Sequence, residues 1–253
     1  MDSLKLDTST NKALVDGTLK GYLEYLDERK NKKQSMTVSG AYAWTKGNHI
    51  DNQVAKIGQQ YNLQFNISKA GYSWEYLQFT VNENTDSYLV IVKNARRVKK
   101  SFEDQKNKAN KNHYLSKFSE INEIPLKNKT RNFVIQPEQI QLELNLEEAR
   151  AVMDRKPLDI SQEYSRFYIV TYEIDDQTKN IMSIQLTMQN PETLDLEQIE
   201  DLTYLIKQSP FEITPEDLEP IADEKVSDLS IFSGDSNAFG YSIPEEQEEA
   251  GNE

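Results

Sequence analysis

The residues of this 253-residue chain best suited to chemistry are cations set close together. Lys93, Arg96, Arg97, Lys99 and Lys100 fall within eight residues, and Lys106, Lys108 and Lys111 extend the run. Long cationic side chains clustered in this way neutralise phosphates, each contact adding a salt-dependent increment. The aromatic and Asn residues between them suit stacking on unpaired bases or hydrogen bonding to them. The plainer reading is a lysine-rich, solvated helix or a flexible loop. A second set, His49, Lys69, Glu75 and Lys93, is the one a nucleic-acid-cleaving site would use. His49 lies in the segment Trp44 to Asp51, at a loop-to-helix junction. Backbone N–H groups there favour anions, and an imidazole serves as general base for a phosphodiester. Residues two apart on a helix do not face each other, so His49 and Asp51 form no simple dyad. Asn48 as a helix cap accounts for the same segment without chemistry.

The order of elements, a helix and then three strands, resembles the layout of restriction-endonuclease-like enzymes. Their third strand carries an acid two residues before a lysine. Here Lys93 ends the third strand, but the position two before it is Ile91. The motif is broken, and a metal pair would need Asp51, Glu75 or Asp86 to converge in space. No phosphate-cradling glycine loop, HExxH or GxSxG turn occurs; that argues against a nucleotide-driven motor, a zincin and an α/β-hydrolase. The chain holds no cysteine, which removes disulfides, thiolate zinc sites and cysteine nucleophiles. No metal or cofactor is expected.

Charge is distributed unevenly. Residues 1–131 hold 22 Lys/Arg and 14 Asp/Glu, a net of +8, whereas residues 132–253 hold 7 and 28, a net of -21. From Lys93 to Arg131 there are 12 bases and 4 acids; from Glu192 onward there are 18 acids and 2 bases. Asymmetry of this kind points to a polyanionic partner or to an acidic segment competing for the same surface. The run Glu245 to Glu249, with Phe232, Phe239 and Tyr241 before it, fits either a solubilising tail or a short docking motif. The first residues lack the apolar core of a signal peptide. The longest apolar run, Leu89 to Val92, is far short of the roughly 20 residues a membrane helix needs. A soluble, cytoplasmic protein is expected.

The elements that must position these residues follow from periodicity. Val15, Leu19, Tyr22, Leu23 and Leu26 recur at helical steps over 8–30, although Gly17 and Gly21 weaken the pattern. Arg29 to Ser35 reads as a solvated connector. A second helix starts near Asn48, with Ile50, Val54, Ile57 and Tyr61 on one side and His49, Gln53, Lys56 and Gln60 on the other. Leu63, Phe65 and Ile67 alternate as a strand, and Gly71 makes a turn. Leu77, Phe79 and Val81 alternate against Tyr72, Trp74, Tyr76 and Gln78 in a second strand. The third strand, Tyr88 to Lys93, is nearly all apolar and belongs at the centre of a sheet. Tyr114, Phe118 and Ile121 share a helical face, predicting a basic amphipathic helix over 101–122 that Pro125 ends. Strands at Phe133–Gln136 and Ile140–Leu144 and a helix from Leu146 to Met153 follow. A hairpin occupies 167–188 with its loop at Asp175–Asn180, and Pro191 opens a helix over 191–208. The chain after Pro220 has too little apolar surface to offset ordering entropy and is expected to be disordered.

The fold class expected is α+β: N-terminal helices with a three-stranded antiparallel meander, a second β-hairpin and helix unit, and a disordered acidic C-terminal tail. The units are 1–93, a basic connector at 94–131, 132–210, and an acidic tail at 211–253. The apolar strands at 88–93 and 167–174 are candidates to pair in one mixed sheet. Three functions fit. The first is a non-enzymatic protein that binds nucleic acid through 93–131, modulated by its acidic tail. The second is an interaction or inhibitor protein whose acidic half occupies a partner's basic surface. The third is a small nuclease-type toxin or defence protein with a degenerate active site.

Overall fold

The computed structural model of the chain describes residues 4–70, 74–83, 85–108, 114–131 and 164–224. Its architecture is α+β, built on one six-stranded mixed sheet in the order β1-β2-β3-β4-β5-β6. The strands are β1 (Gln64–Ala70), β2 (Trp74–Glu83), β3 (Asp86–Asn94), β4 (Arg166–Ile174), β5 (Ile181–Gln189) and β6 (Leu196–Asp201). All neighbours are antiparallel except β3 and β4, which run parallel with Leu89 against Phe167 and Ile91 against Ile169. The meander and the second hairpin are therefore one sheet, joined along the two most apolar strands in the chain. Parallel strands require a crossover that covers a face of the sheet, and Leu89 to Val92 and Phe167 to Val170 are accordingly buried.

The two faces sort by strand parity. Phe79, Val81, Val90, Val92, Tyr168 and Val170 pack against Leu14, Leu19, Tyr22, Ile50 and Val54 of α1 (Thr8–Ser35) and α2 (Lys46–Gly58). Tyr76, Leu89, Ile91, Phe167 and Ile169 pack against Val98 and Phe102 of α3 (Ala95–Lys108) and Leu115 of α4 (Tyr114–Ser119). Asn122 ties this second layer to the sheet. Its side chain donates to the carbonyls of Phe167 and Gln189 at 2.8 and 3.2 Å and accepts the Phe167 N–H at 2.8 Å.

Helix α1 is buried on most sides in its first half, from Thr10 to Tyr22. Gly17 and Gly21 are the reason α2 can cross it so closely. A Cβ at Gly17 would lie 2.5 Å from Val54 Cα, and one at Gly21 would lie 2.4 Å from Ile50 Cα. Both glycines lower helix propensity, and their missing side chains let two backbones touch. The outer flank of α1 is covered by the 3₁₀ turn Thr203–Gln208, the short helix α6 (Pro215–Leu218) and the turn Glu219–Ile221, through Leu205, Leu218 and Ile221. Asp7 caps α1: its carboxylate accepts the Thr10 N–H at 2.9 Å and the Ser9 and Thr10 hydroxyls.

Several expectations change. The first helix runs on to Ser35, so Arg29 to Ser35 is helical, with Lys32 and Lys33 in the last turn, where cations suit the dipole. Gln53 is buried and donates to Glu24 rather than facing solvent. Instead of one helix over 101–122 there are α3, α4 and a 3₁₀ turn at Glu120–Asn122. Pro125 sits inside the first turn of α5 (Glu123–Arg131), a position that needs no proline N–H.

The helix over 191–208 is absent. Asn190 accepts the N–H groups of Glu192 and Thr193, and Leu194 takes φ 60°, so the chain reverses into β6. Proline's fixed φ suits a turn as well as a helix start, and the Asn side chain selects the turn. Within the expected acidic tail, Phe211 to Glu224 packs on α1 instead. The Gly71 turn, the strands at 133–136 and 140–144, the helix at 146–153 and the chain from 225 onward lie outside the described residues. No described helix is long and apolar enough to cross a membrane.

Two outcomes follow from these contacts. Gly21→Ala forces α1 and α2 apart and lowers unfolding free energy by about 2 kcal/mol or more in urea titration, against the roughly 1 kcal/mol gained from propensity alone. Asp7→Ala costs about 1 kcal/mol at neutral pH. Burial raises the Asp7 pKa, but the Ser9 and Thr10 bonds outweigh it and leave the group below its ordinary value. Its stabilisation is present above the unfolded carboxylate pKa and disappears as pH falls through the lower folded value. Wild type and Asp7→Ala therefore converge in stability on acidification below about pH 4.

Candidate functional site

The β2–β3 ladder extends only from Phe79–Glu83 to Asp86–Val90. Before it, β2 pairs with β1 alone; beyond it, β3 pairs with β4 alone. The strands fork there, and the fork holds the most conspicuous polar cluster in the fold. Asp51, buried on α2, accepts the Leu77 N–H at 3.0 Å, a donor left over by the fork. Lys93 turns its ammonium inward, 4.4 Å from the centroid of the Tyr76 ring, and its charge opposes that of Asp51. Gln78 donates to the Tyr76 hydroxyl at 2.9 Å, and the Tyr114 ring closes over Tyr76 at 5.1 Å. Burial pushes the Asp51 carboxyl up and the Lys93 ammonium down, while the opposite charge of each draws the other back. Lys93 thus faces an internal anion and an aromatic ring.

The rest of the basic run is turned toward the second half of the chain. Arg96 reaches Asp176 at 2.5 Å and Glu173 at 3.3 Å, and these carboxylates hold its guanidinium above its ordinary pKa. Lys106 meets Asp195 at 2.6 Å, and Lys127 meets Glu192 at 3.3 Å as well as Glu123 on its own helix. Arg97 is partly buried and, in the first turn of α3, donates its N–H to the Asn94 side chain at 3.2 Å. Lys99 and Lys117 are exposed and Lys100 partly so. Lys108 ends α3, and Lys111 lies outside the described residues. The apolar anchors of the run are packed into the second layer, Phe102 and Leu115 buried and Phe118 partly so.

Of the four cleavage candidates, the structure brings two together. Lys69 and Glu75 are cross-strand partners on β1 and β2, 3.3 Å apart and largely exposed. His49 packs edge-on to Tyr25 at 6.3 Å. Lys93 stands on the opposite sheet face from Lys69 and Glu75, as parity requires. Among the described residues no group of three or more His, Asp or Glu could hold a metal ion. Elsewhere among the described residues one surface hollow lies around Tyr22, Tyr25, Lys46 and Lys179 and another around Leu126, Asn190 and Glu197, and neither contains a candidate residue.

Sequence reasoning missed Arg29, a buried cation that donates to Glu224 and to the Ser39 carbonyl. The signal for it is its spacing: Tyr22, Leu26 and Arg29 continue one apolar stripe. Lys33 also meets Glu224, and Lys5 meets Glu200 at 3.8 Å. Residues 164–224 carry 14 Asp/Glu against 3 Lys/Arg, so the acids outnumber these partners. Asp201, Glu212, Glu216, Glu219 and Asp223 are exposed and make no ion pair among the described residues.

The fork gives a thermodynamic cycle. Lys93→Met leaves Asp51 buried without its counter-charge and costs about 3 kcal/mol in urea unfolding. Adding Asp51→Asn, which still accepts the Leu77 N–H, recovers most of that loss. A coupling below about 0.5 kcal/mol would show that the two charges act independently. No family model, curated protein or solved structure matches this chain.

Proposed function

We propose that this is a non-enzymatic binding protein that presents the acidic surface of its second half to a cationic surface on a partner protein. The observation that carries the reading is the internal use of the basic run. Lys93, Arg96 and Lys106 each have a carboxylate within the fold, whereas the acids from Asp201 to Asp223 remain in excess over cations. A field of one sign steers oppositely charged partners and sets their orientation, with a steep dependence on salt. Exposed Tyr204, half accessible on the same segment, supplies an aromatic contact of the kind enriched at interface centres. The covering of α1 by this segment gives the acids a rigid support.

A second reading rests on Lys99, Lys100 and Lys117, which leave cationic surface on α3 and α4 for nucleic acid. Fluorescence anisotropy separates the two. Labelled nona-arginine and labelled single- and double-stranded DNA and RNA are titrated with the full-length chain at two salt concentrations. The acidic-surface reading expects salt-sensitive binding of the peptide, lost in a variant with Asn or Gln at Asp201, Glu212, Glu216, Glu219 and Asp223, and no binding of the oligonucleotides. Oligonucleotide binding that weakens with Lys99→Gln and Lys117→Gln, with no peptide binding, would sink it in favour of the second.

A further inference from the structure

Among the described residues nothing covers strand β1. Gln64, Phe65, Asn66, Ile67 and Lys69 are all exposed although they alternate between the two sheet faces, and Ile67 retains 67% of its surface. Alternation of Leu63, Phe65 and Ile67 is the pattern of a strand with one buried face, yet only Leu63 is buried within the chain. Among the described residues the outer edge of β1 has no neighbouring strand, so its outward N–H and C=O groups form an open ladder. The opposite edge is treated differently. β6 carries Glu197, Glu200 and Asp201, and its ladder with β5 is broken by an irregularity at Leu186/Thr187, both devices that discourage pairing.

We infer that β1 is a self-association edge, on which a second copy of this chain adds its own β1 antiparallel, continuing one sheet across a two-fold axis. Charge selects this occupant. In a chain with 28% charged residues, the segment from Gln59 to Asn82 contains two, Lys69 and Glu75, and these form an ion pair with each other. The edge is therefore neutral, and two copies meet here without the repulsion that the net charge of -13 creates elsewhere. The sequence of β1 is also self-complementary about Ile67. Antiparallel pairing there sets Ile67 against the partner's Ile67 and Phe65 against the alkyl stem of the partner's Lys69, so no like charges oppose. A symmetric edge-to-edge contact closes on itself and leaves no further edge of this kind.

The chain's lack of cysteine makes the test direct. Opposed residues of an antiparallel pair have Cα atoms about 4.5–5.5 Å apart, within the span of a disulfide. Full-length Ile67→Cys is expected to oxidise to a covalent dimer, whereas Val38→Cys, also exposed, remains monomeric under the same conditions. Sedimentation velocity of the wild type is expected to show a reversible monomer–dimer equilibrium. Ile67→Arg, which places like charges opposite each other, weakens it by about tenfold or more, while its far-UV spectrum, and its unfolding midpoint at a dilution where both proteins are monomeric, stay unchanged. A wild type that is monomeric at the highest attainable concentration overturns the inference. So does a dimer that persists in Ile67→Arg, or an Ile67→Cys thiol that cross-links only to a different protein.

Discussion

The parallel contact between β3 and β4 governs the rest of this molecule. Both strands are apolar along their length, and placing them side by side leaves neither with a face that water can solvate. One face is closed by α1 and α2. The other has to be closed by the connection between the strands, because a parallel pair cannot be joined by a tight turn. That connection is the basic run. Its Val98, Phe102 and Leu115 are conscripted into the core, and the cations around them are carried to wherever the packing sends them.

The uneven charge of the chain is the counterpart of this arrangement. A layer rich in Lys and Arg lies beside a sheet half rich in Asp and Glu, and Arg96, Lys106 and Lys127 bridge the two. Exposed ion pairs of this sort add little stability one by one. Together they lower the positive field that the linear sequence suggests and leave the negative field less opposed. Composition by halves therefore describes an internal complementarity as much as an external one.

What could be read from the sequence was what depends on short-range pattern. The α+β class, α2, the alternation of β2, the burial of β3 and the 167–188 hairpin all follow from local periodicity, whereas shared apolar content made 88–93 and 167–174 only candidates to pair and left open whether the two β units form one sheet. The reading of 191–208 as a helix failed because Leu196, Ile199 and Leu202 satisfy a helical stripe, while the side chain of Asn190 decides otherwise through two hydrogen bonds. Gly17 and Gly21 looked like weaknesses because their value appears only against the backbone of α2. At the candidate site, Lys93 and Asp51 were both noticed, but the fork that brings their charges into opposition depends on where one ladder stops. No spacing in the sequence announces that point.

The cover over α1 has a consequence for the order of assembly. Leu205, Leu218 and Ile221 belong to the same core as Leu14 and Leu19, nearly two hundred residues earlier. Contacts so distant along the chain return nothing until the intervening loop has closed, and topologies dominated by them fold slowly. During synthesis the first 131 residues emerge with a net charge of +8 and an incompletely covered helix, before most of the acids that later face them exist. The molecule's charge balance and its hydrophobic closure are thus reached at the same late moment, when the second half of the sheet docks.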